Sequence, residues 1–287
     1  MEEFCEDFEG CDEFKALCGI DILLSLCYNY YALLKNELLR RIYKMKYNFV
    51  RFKEIDSTNN EAKRYVSAGG TLPALILSES QSEGRGRMGR SFYSSDNKGV
   101  YITVIVKATG ENLFLRGTAV SAVCVVESIK ELFGISTEIK WVNDIYYQSK
   151  KVAGILAESF FVDGERYVAI GFGINLYTQI PSELRDIAIS IFPEYPDSYT
   201  LNMQRDALAN RITEKLLAAI EKDDYAEYMK KYRALSCVID HHIVFSENER
   251  EYSAFAFDIN DDGALAVRFE DGSVRYLNSG EISLKTV

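Results

Sequence analysis

Proline is scarce in this chain, at 4 of 287 residues; histidine is scarcer, at 2, and tryptophan occurs once. So little proline, with no low-complexity tract, argues against a disordered polypeptide. His241 and His242 are the only histidines, too few parts for a Ser-His-Asp triad or a histidine-ligated zinc. Neighbours on a strand also point to opposite faces, so the two would not share a metal easily. No run of about 20 apolar residues occurs, which excludes a membrane-spanning helix. The nearest approach, over 20–34, is broken by Asp21 and Asn29. Basic residues are outnumbered 33 to 43, for a formal charge of −10, so the excess of Lys and Arg that coats nucleic acid is missing. The first fourteen residues carry seven acids and no Lys or Arg, the reverse of a secretory leader. Six cysteines are too few for a disulfide scaffold of this length. The expected setting is cytoplasmic, with reduced thiols and with neither nucleic acid nor membrane as partner.

What is present suits a folded protein of about two domains, with 47% hydrophobic and 26% charged residues. Three stretches differ in pattern. Residues 1–45 hold Cys5, Cys11, Cys18 and Cys27, whose gaps do not follow zinc-site spacing. A helical extension without a winged helix is expected there. Over 46–236, strands are predicted at Phe49–Phe52, Ala74–Ser78, Val100–Val106, Glu138–Trp141, Ile145–Tyr147, Val152–Glu158 and Tyr167–Ile174. Helices are predicted at Asn59–Ser67, capped by Ser57-Thr58-Asn59, and at Leu115–Leu132, Met203–Ile220 and Tyr225–Leu235. Few helices separate the middle strands, so the expected class is α+β: a mixed, largely antiparallel sheet flanked by helices. Over 237–287, short strands split by turns such as Asn260-Asp261-Asp262-Gly263 predict a small β-barrel. Asp258 to Gly263 also mimics half of a calcium loop, but Phe269 stands where the twelfth ligand is required and strands flank it.

The loudest motif is Gly84-Arg85-Gly86-Arg87-Met88-Gly89-Arg90. Its glycines fit a dinucleotide fingerprint, yet no helix follows to meet a pyrophosphate, so that reading fails. A kinase glycine loop fails too, because no H-R-D or D-F-G lies downstream. On its chemistry, the segment is a pliable loop carrying three guanidiniums suited to carboxylate or phosphate. Such a loop is expected to stay mobile until an anion arrives.

Together with Gln81, three residues before it, this loop resembles the biotin-binding loop of biotin protein ligases. Further motifs stand in that family's order. Ser57-Thr58-Asn59 is similar to its S-T-N turn, and Lys140-Trp141-Val142-Asn143-Asp144 to K-W-P-N-D. Lys151 to Glu158 resembles K-x-A-G-I-L-x-E, Gly171 to Asn175 resembles G-x-G-I-N, and Gly280 to Leu284 is similar to the family's C-terminal end. The resemblance covers all but residues 1–45. Its departures are Val142 and Ser95 where proline is usual and Phe92 where tryptophan is common.

The resemblance implies a class II aminoacyl-tRNA synthetase-like ligase fold with an SH3-like C-terminal barrel. It implies ATP and magnesium converting biotin to biotinyl-5′-adenylate, then transfer to a lysine of a biotin carboxyl carrier protein, without a tightly bound prosthetic group. Catalysis would fall to Lys151, Arg87 and Arg85. Biotin would be held by Ser57, Thr58, Asn59, Gln81, Arg85, Gly86, Arg87 and Lys151. ATP would meet Arg87, Arg90, Lys140, Asn143 and Asn175, with Asp144 and Asn143 as magnesium ligands. Asp144 could alternatively steer the acceptor lysine, and Trp141 is expected to pack rather than stack on adenine. A lipoate or octanoate ligase is the rival enzyme, and a biotin-sensing regulator the rival from another class. A homodimer is left open.

Overall fold

Strands that are apolar at successive positions must be covered on both faces, and two segments of this chain have that pattern. The computed structural model describes residues 46–94, 96–108, 112–223, 225–247, 250–280 and 282–284. The helical extension expected over 1–45 lies outside them, as do Ser95 and Glu281. The two apolar segments become β2 (Ala74–Gln81) and β3 (Val100–Lys107), at the heart of a seven-stranded sheet. Leu75, Ile76, Leu77, Ile102 and Ile105 are all fully buried there.

The sheet also contains β1 (Asn48–Ile55), β4 (Glu138–Lys140), β5 (Asp144–Tyr147), β6 (Lys150–Val162) and β7 (Glu165–Ile174), in the order β1-β2-β3-β7-β6-β5-β4. Among the neighbouring strands of this sheet β1 and β2 pair in parallel and the other pairs are antiparallel. This is the expected mixed, largely antiparallel sheet. Helix α1 (Thr58–Ser67) covers one face, its Ala62 and Val66 packing with Ala74, Ile76, Ile105 and Ala169. Helix α2 (Asn112–Phe133) lies against β6 and β7, with α3 (Ser198–Lys222) and α4 (Ala226–Ala234) packed on it. Beyond them, β8 (His241–Glu247), β9 (Arg250–Ile259), β10 (Leu265–Arg268), β11 (Val274–Leu277) and β12 (Ile282–Leu284) form a separate antiparallel sheet, consistent with an SH3-like fold. Among the described residues no helix is long and apolar enough to cross a membrane.

Several boundaries differ from the sequence reading, each for a local reason. Strand β6 runs past Glu158 to Val162, because Asp163 and Gly164 both take positive φ (50° and 79°) and turn the chain tightly into β7. Helix α3 starts five residues before Met203, because the Asp197 side chain accepts from the Thr200 backbone N–H at 2.9 Å. Ser57 occupies the N-cap position of α1, yet its side chain makes no capping bond. The capping role expected for it is corrected below.

Two buried polar side chains hold loops onto this frame. Arg205 is fully buried on α3 and donates to the Asn97 and Gly99 carbonyls and to Asn202, pinning the turn that enters β3. Tyr232 is fully buried on α4, where burial drives its phenol far above the usual range, and it donates to the Val142 carbonyl at 2.9 Å. That bond fixes the turn between β4 and β5. Tyr232→Phe leaves the Val142 carbonyl without this donor, and should lower unfolding free energy by about 1–3 kcal/mol in urea titrations. An unchanged midpoint contradicts the assignment.

Candidate active site

Alternate residues of β6 and β7 face the same side of the sheet, with Gly154 opposite Gly173 and Leu156 opposite Gly171. Over that face converge the N-terminus of α1, the end of β2, the arginine loop, the β4–β5 turn and the start of β6. They bring Ser57, Thr58, Asn59, Gln81, Arg85, Gly86, Arg87, Asn143 and Lys151 to the wall of one pocket. Residues 57 to 151, far apart in sequence, thus share one concave surface. Arg90, Lys140, Asp144 and Asn175 do not line it.

The glycines of the motifs are required by close packing. A Cβ on Gly171 would lie 2.2 Å from Asn59 Oδ1, and one on Gly173 would lie 2.6 Å from the Phe92 ring. Phe92 therefore lies flush on the sheet as part of the pocket wall, and the Lys151 ammonium sits 6.0 Å from its ring centroid. Gln81 is oriented by α1: its Oε1 accepts the Thr58 N–H at 2.8 Å and the Thr58 hydroxyl at 3.1 Å. Thr58 N–H, one of the helix's first-turn donors, is thus satisfied across the pocket, while the Ser57 side chain caps none of them.

Each cation in the pocket already has a partner. Lys151 Nζ lies 2.7 Å from Asp144 Oδ1. Arg87 donates to Asn143 Oδ1 at 3.0 Å. Arg85 donates to Asn60 Oδ1 at 3.0 Å and lies 3.3 Å from Glu158 Oε1. On the two residues expected to bind magnesium, Asp144 Oδ1 thus faces Lys151 and Asn143 Oδ1 accepts from Arg87. Among the described residues no group of three or more His, Cys, Asp and Glu converges on a metal position. One carboxylate and one amide do not form a resident magnesium site, although magnesium held by phosphates needs little more from a protein.

The remaining expected residues are engaged nearby. Lys140 donates to the Tyr146 hydroxyl at 3.0 Å. Asn175 is buried, and its Nδ2 donates to the Ile189 carbonyl at 3.3 Å. Trp141 is buried and donates to the Gly263 carbonyl at 2.8 Å, so it packs against the second sheet. In the same calcium-like turn, Asn260 Oδ1 accepts the Asp262 and Ala264 N–H groups, as a hairpin turn requires. Cys124 and Cys237 are free thiols, pushed by burial up to about 12 and about 11, so neither is poised as a nucleophile. Phe92 lines this pocket, and Glu158 and Asn60 hold Arg85 beside it, although the sequence reading gave them no role. Glu158 had two signals: it closes the motif that begins at Lys151, and it shares the parity of Gly154 and Leu156 along β6.

Residues 52–175 match the Biotin/lipoate A/B protein ligase family, and residues 245–285 match the Biotin protein ligase C terminal domain. The bifunctional ligase/repressor BirA of Bacillus subtilis (strain 168) is 37% identical over 145 residues, which is 48% of this chain and 44% of that protein. The match thus spans less than half the length of that relative. The biotin--[acetyl-CoA-carboxylase] ligase of Mycobacterium tuberculosis is 27% identical over 220 residues, covering 74% of this chain and 79% of that one. Among solved structures, the Aquifex aeolicus biotin protein ligase in complex with biotin and ATP superposes with a TM-score of 0.69 at 26% identity, over 85% of this chain and all of that one.

Gly171→Ala places a methyl group on Asn59 Oδ1 and should destabilise the protein by about 1–3 kcal/mol, the usual cost of overpacking. A urea midpoint equal to wild type contradicts the close packing described.

Proposed function

Residues 52–175 belong to the biotin/lipoate A/B protein ligase family and residues 245–285 to the biotin protein ligase C-terminal domain, and we propose from this that the chain is an ATP-dependent biotin protein ligase. A carboxylate oxygen of biotin attacks the α-phosphorus of ATP and pyrophosphate leaves, giving biotinyl-5′-adenylate. The ε-amine of a lysine on a biotin carboxyl carrier protein, such as an acetyl-CoA carboxylase subunit, then attacks the acyl carbon and AMP leaves. In this reading residues 46–236 form the catalytic domain and 237–287 the C-terminal domain. The observation that carries it is the convergence of Lys151 and Arg87 on the pocket lined by Gln81, Ser57 and Thr58.

The chemistry asks for positioning and charge rather than a nucleophile. Two anions, carboxylate and phosphate, must touch, and cations at their junction offset the repulsion. Lys151 and Arg87 both line the pocket and serve there. Ser57, Thr58, Gln81 and Gly86 line the same pocket and would serve the ureido ring, which needs matched donors and acceptors. Gln81 Oε1 is committed to Thr58, which leaves its amide N–H groups to face an acceptor. Magnesium enters as part of the substrate, complexed by the triphosphate. Asn143 stands beside Arg87 at the nucleotide end; Arg90, Lys140 and Asn175 would have to move or act from outside the pocket.

Pyrophosphate release from ATP, measured with biotin, lipoate or octanoate supplied singly, tests the proposal. Release with biotin is expected, and Lys151→Ala should reduce it about a hundred- to thousand-fold, the loss typical of one preorganised donor. Release with lipoate or octanoate alone moves the protein to the sister activity. No release with any acid overturns the ligase reading in favour of a biotin-binding regulator.

A further inference from the structure

Two of the motif residues have their hydrogen-bonding groups consumed by the protein itself. Asn59 Oδ1 accepts the Thr103 hydroxyl at 2.7 Å, while its Nδ2 donates to Glu158 Oε2 at 2.8 Å and to the Leu156 carbonyl at 3.2 Å. The amide is thereby locked one way round, N–H toward Glu158, with Gly171 pressed against its oxygen. Glu158 stands opposite Ala169 on β6, on the same face as Gly154 and Leu156, so its carboxylate points to the pocket side. There it meets Lys63 at 3.2 Å and Arg85 at 3.3 Å. Burial acts to raise the Glu158 carboxyl, but hydrogen bonds from Asn59 and Lys63 and the charges of Lys63 and Arg85 outweigh it and hold the group below the usual range. It is a fixed anion.

Arg85 is the cation this anion holds. Its Nη1 donates to Asn60 Oδ1 and its Nη2 lies beside Glu158, so α1 and β6 grip one guanidinium from two sides. Arg85 also stands at the base of a narrow hairpin. It bridges to Ser91, the Phe92 N–H donates to the Gly84 carbonyl at 2.8 Å, and the Gly86 N–H donates to the Arg90 carbonyl at 2.7 Å. Arg87 lies two residues further along that hairpin and reaches Asn143. Fixing the base therefore decides where Arg87 lands.

We propose that Glu158 is the positioning residue of the arginine loop: it latches Arg85 and keeps that guanidinium from the substrate carboxylate, leaving Lys151 and Arg87 to meet it. This rests on the ligase reading of the same pocket. It revises two sequence expectations. Arg85 acts through the loop it anchors rather than on the reacting atoms, and Asn59 acts by orienting Glu158 rather than by binding the ureido ring.

The test is a double-mutant cycle in the full chain, with Arg85→Gln, Glu158→Gln and both together. Hydrogen exchange of amides 84–92 is measured without substrate, so it reads the latch even if the ligase reading fails. Biotin KM and kcat are then measured by pyrophosphate release. Each single variant should speed exchange over 84–92 about tenfold and raise biotin KM about 5- to 20-fold with kcat nearly unchanged, and the double should be no worse than the worse single, since both cut one link. Effects that multiply in the double, or a large KM effect of Arg85→Gln with none from Glu158→Gln, would make Arg85 a direct ligand and overturn the latch. Should Glu158→Gln fail to fold, Arg85→Gln alone decides, its side chain being 41% exposed: unchanged exchange over 84–92 overturns the proposal.

Discussion

Three cationic side chains share one pocket, and their mutual repulsion is the constraint around which the site is arranged. Like charges 4 Å apart repel by about 4 kcal/mol at an effective dielectric constant of 20. A loop carrying Arg85, Arg87 and Arg90 would be driven off the sheet unless acceptors were fixed to hold it. The fold supplies them from rigid elements: Asp144 on β5 for Lys151, Asn143 in the turn before it for Arg87, and Glu158 on β6 with Asn60 on α1 for Arg85. Their placement follows from strand register, which in turn depends on the apolar run of β2 and β3 at the sheet's centre.

The partners are unequal, and that inequality gives the site its direction. Asn143 is a neutral amide, so an entering anion can take Arg87 from it at small electrostatic cost. Asp144 is a single carboxylate facing Lys151, the two side chains 25% and 31% exposed. Glu158 is more deeply held, with Asn59, Lys63 and Arg85 around it. On the proposed reading, a substrate carboxylate and an α-phosphate draw on Lys151 and Arg87, while Arg85 stays where it is. Close contact of Gly171 with Asn59 and of Gly173 with Phe92 keeps the pocket's side wall from giving way as those partners exchange.

Much of the fold was legible because its signals are local. Apolar runs marked β2 and β3, and turn residues marked the hairpins of the second sheet. The start of α3 was missed although Asp197 announces it, and β6 was cut short at Glu158 although Asp163-Gly164 marks its turn. The expected site residues could be named because the resemblance names them, and nine of them line one pocket. What they do there was less legible. Nothing in the chain around Asn59 says that Thr103 and Glu158 will consume its amide, since those partners lie 44 and 99 residues away. Tyr232 reaching Val142 and Arg205 pinning Asn97 and Gly99 are likewise contacts of register, without a local signature. Lys140 and Asn175 were expected at the nucleotide, yet their side chains bond to Tyr146 and to the Ile189 carbonyl.

On the proposed reading, this pocket joins a carboxylate oxygen to the α-phosphorus of ATP. Biotin labelled with ¹⁸O in both carboxylate oxygens, incubated with ATP and a carrier domain, tests it at the level of atoms. AMP carrying one ¹⁸O is expected by mass spectrometry, because the bridging oxygen leaves with phosphorus when the lysine attacks the acyl carbon. Biotinylated carrier accompanied by unlabelled AMP would contradict it.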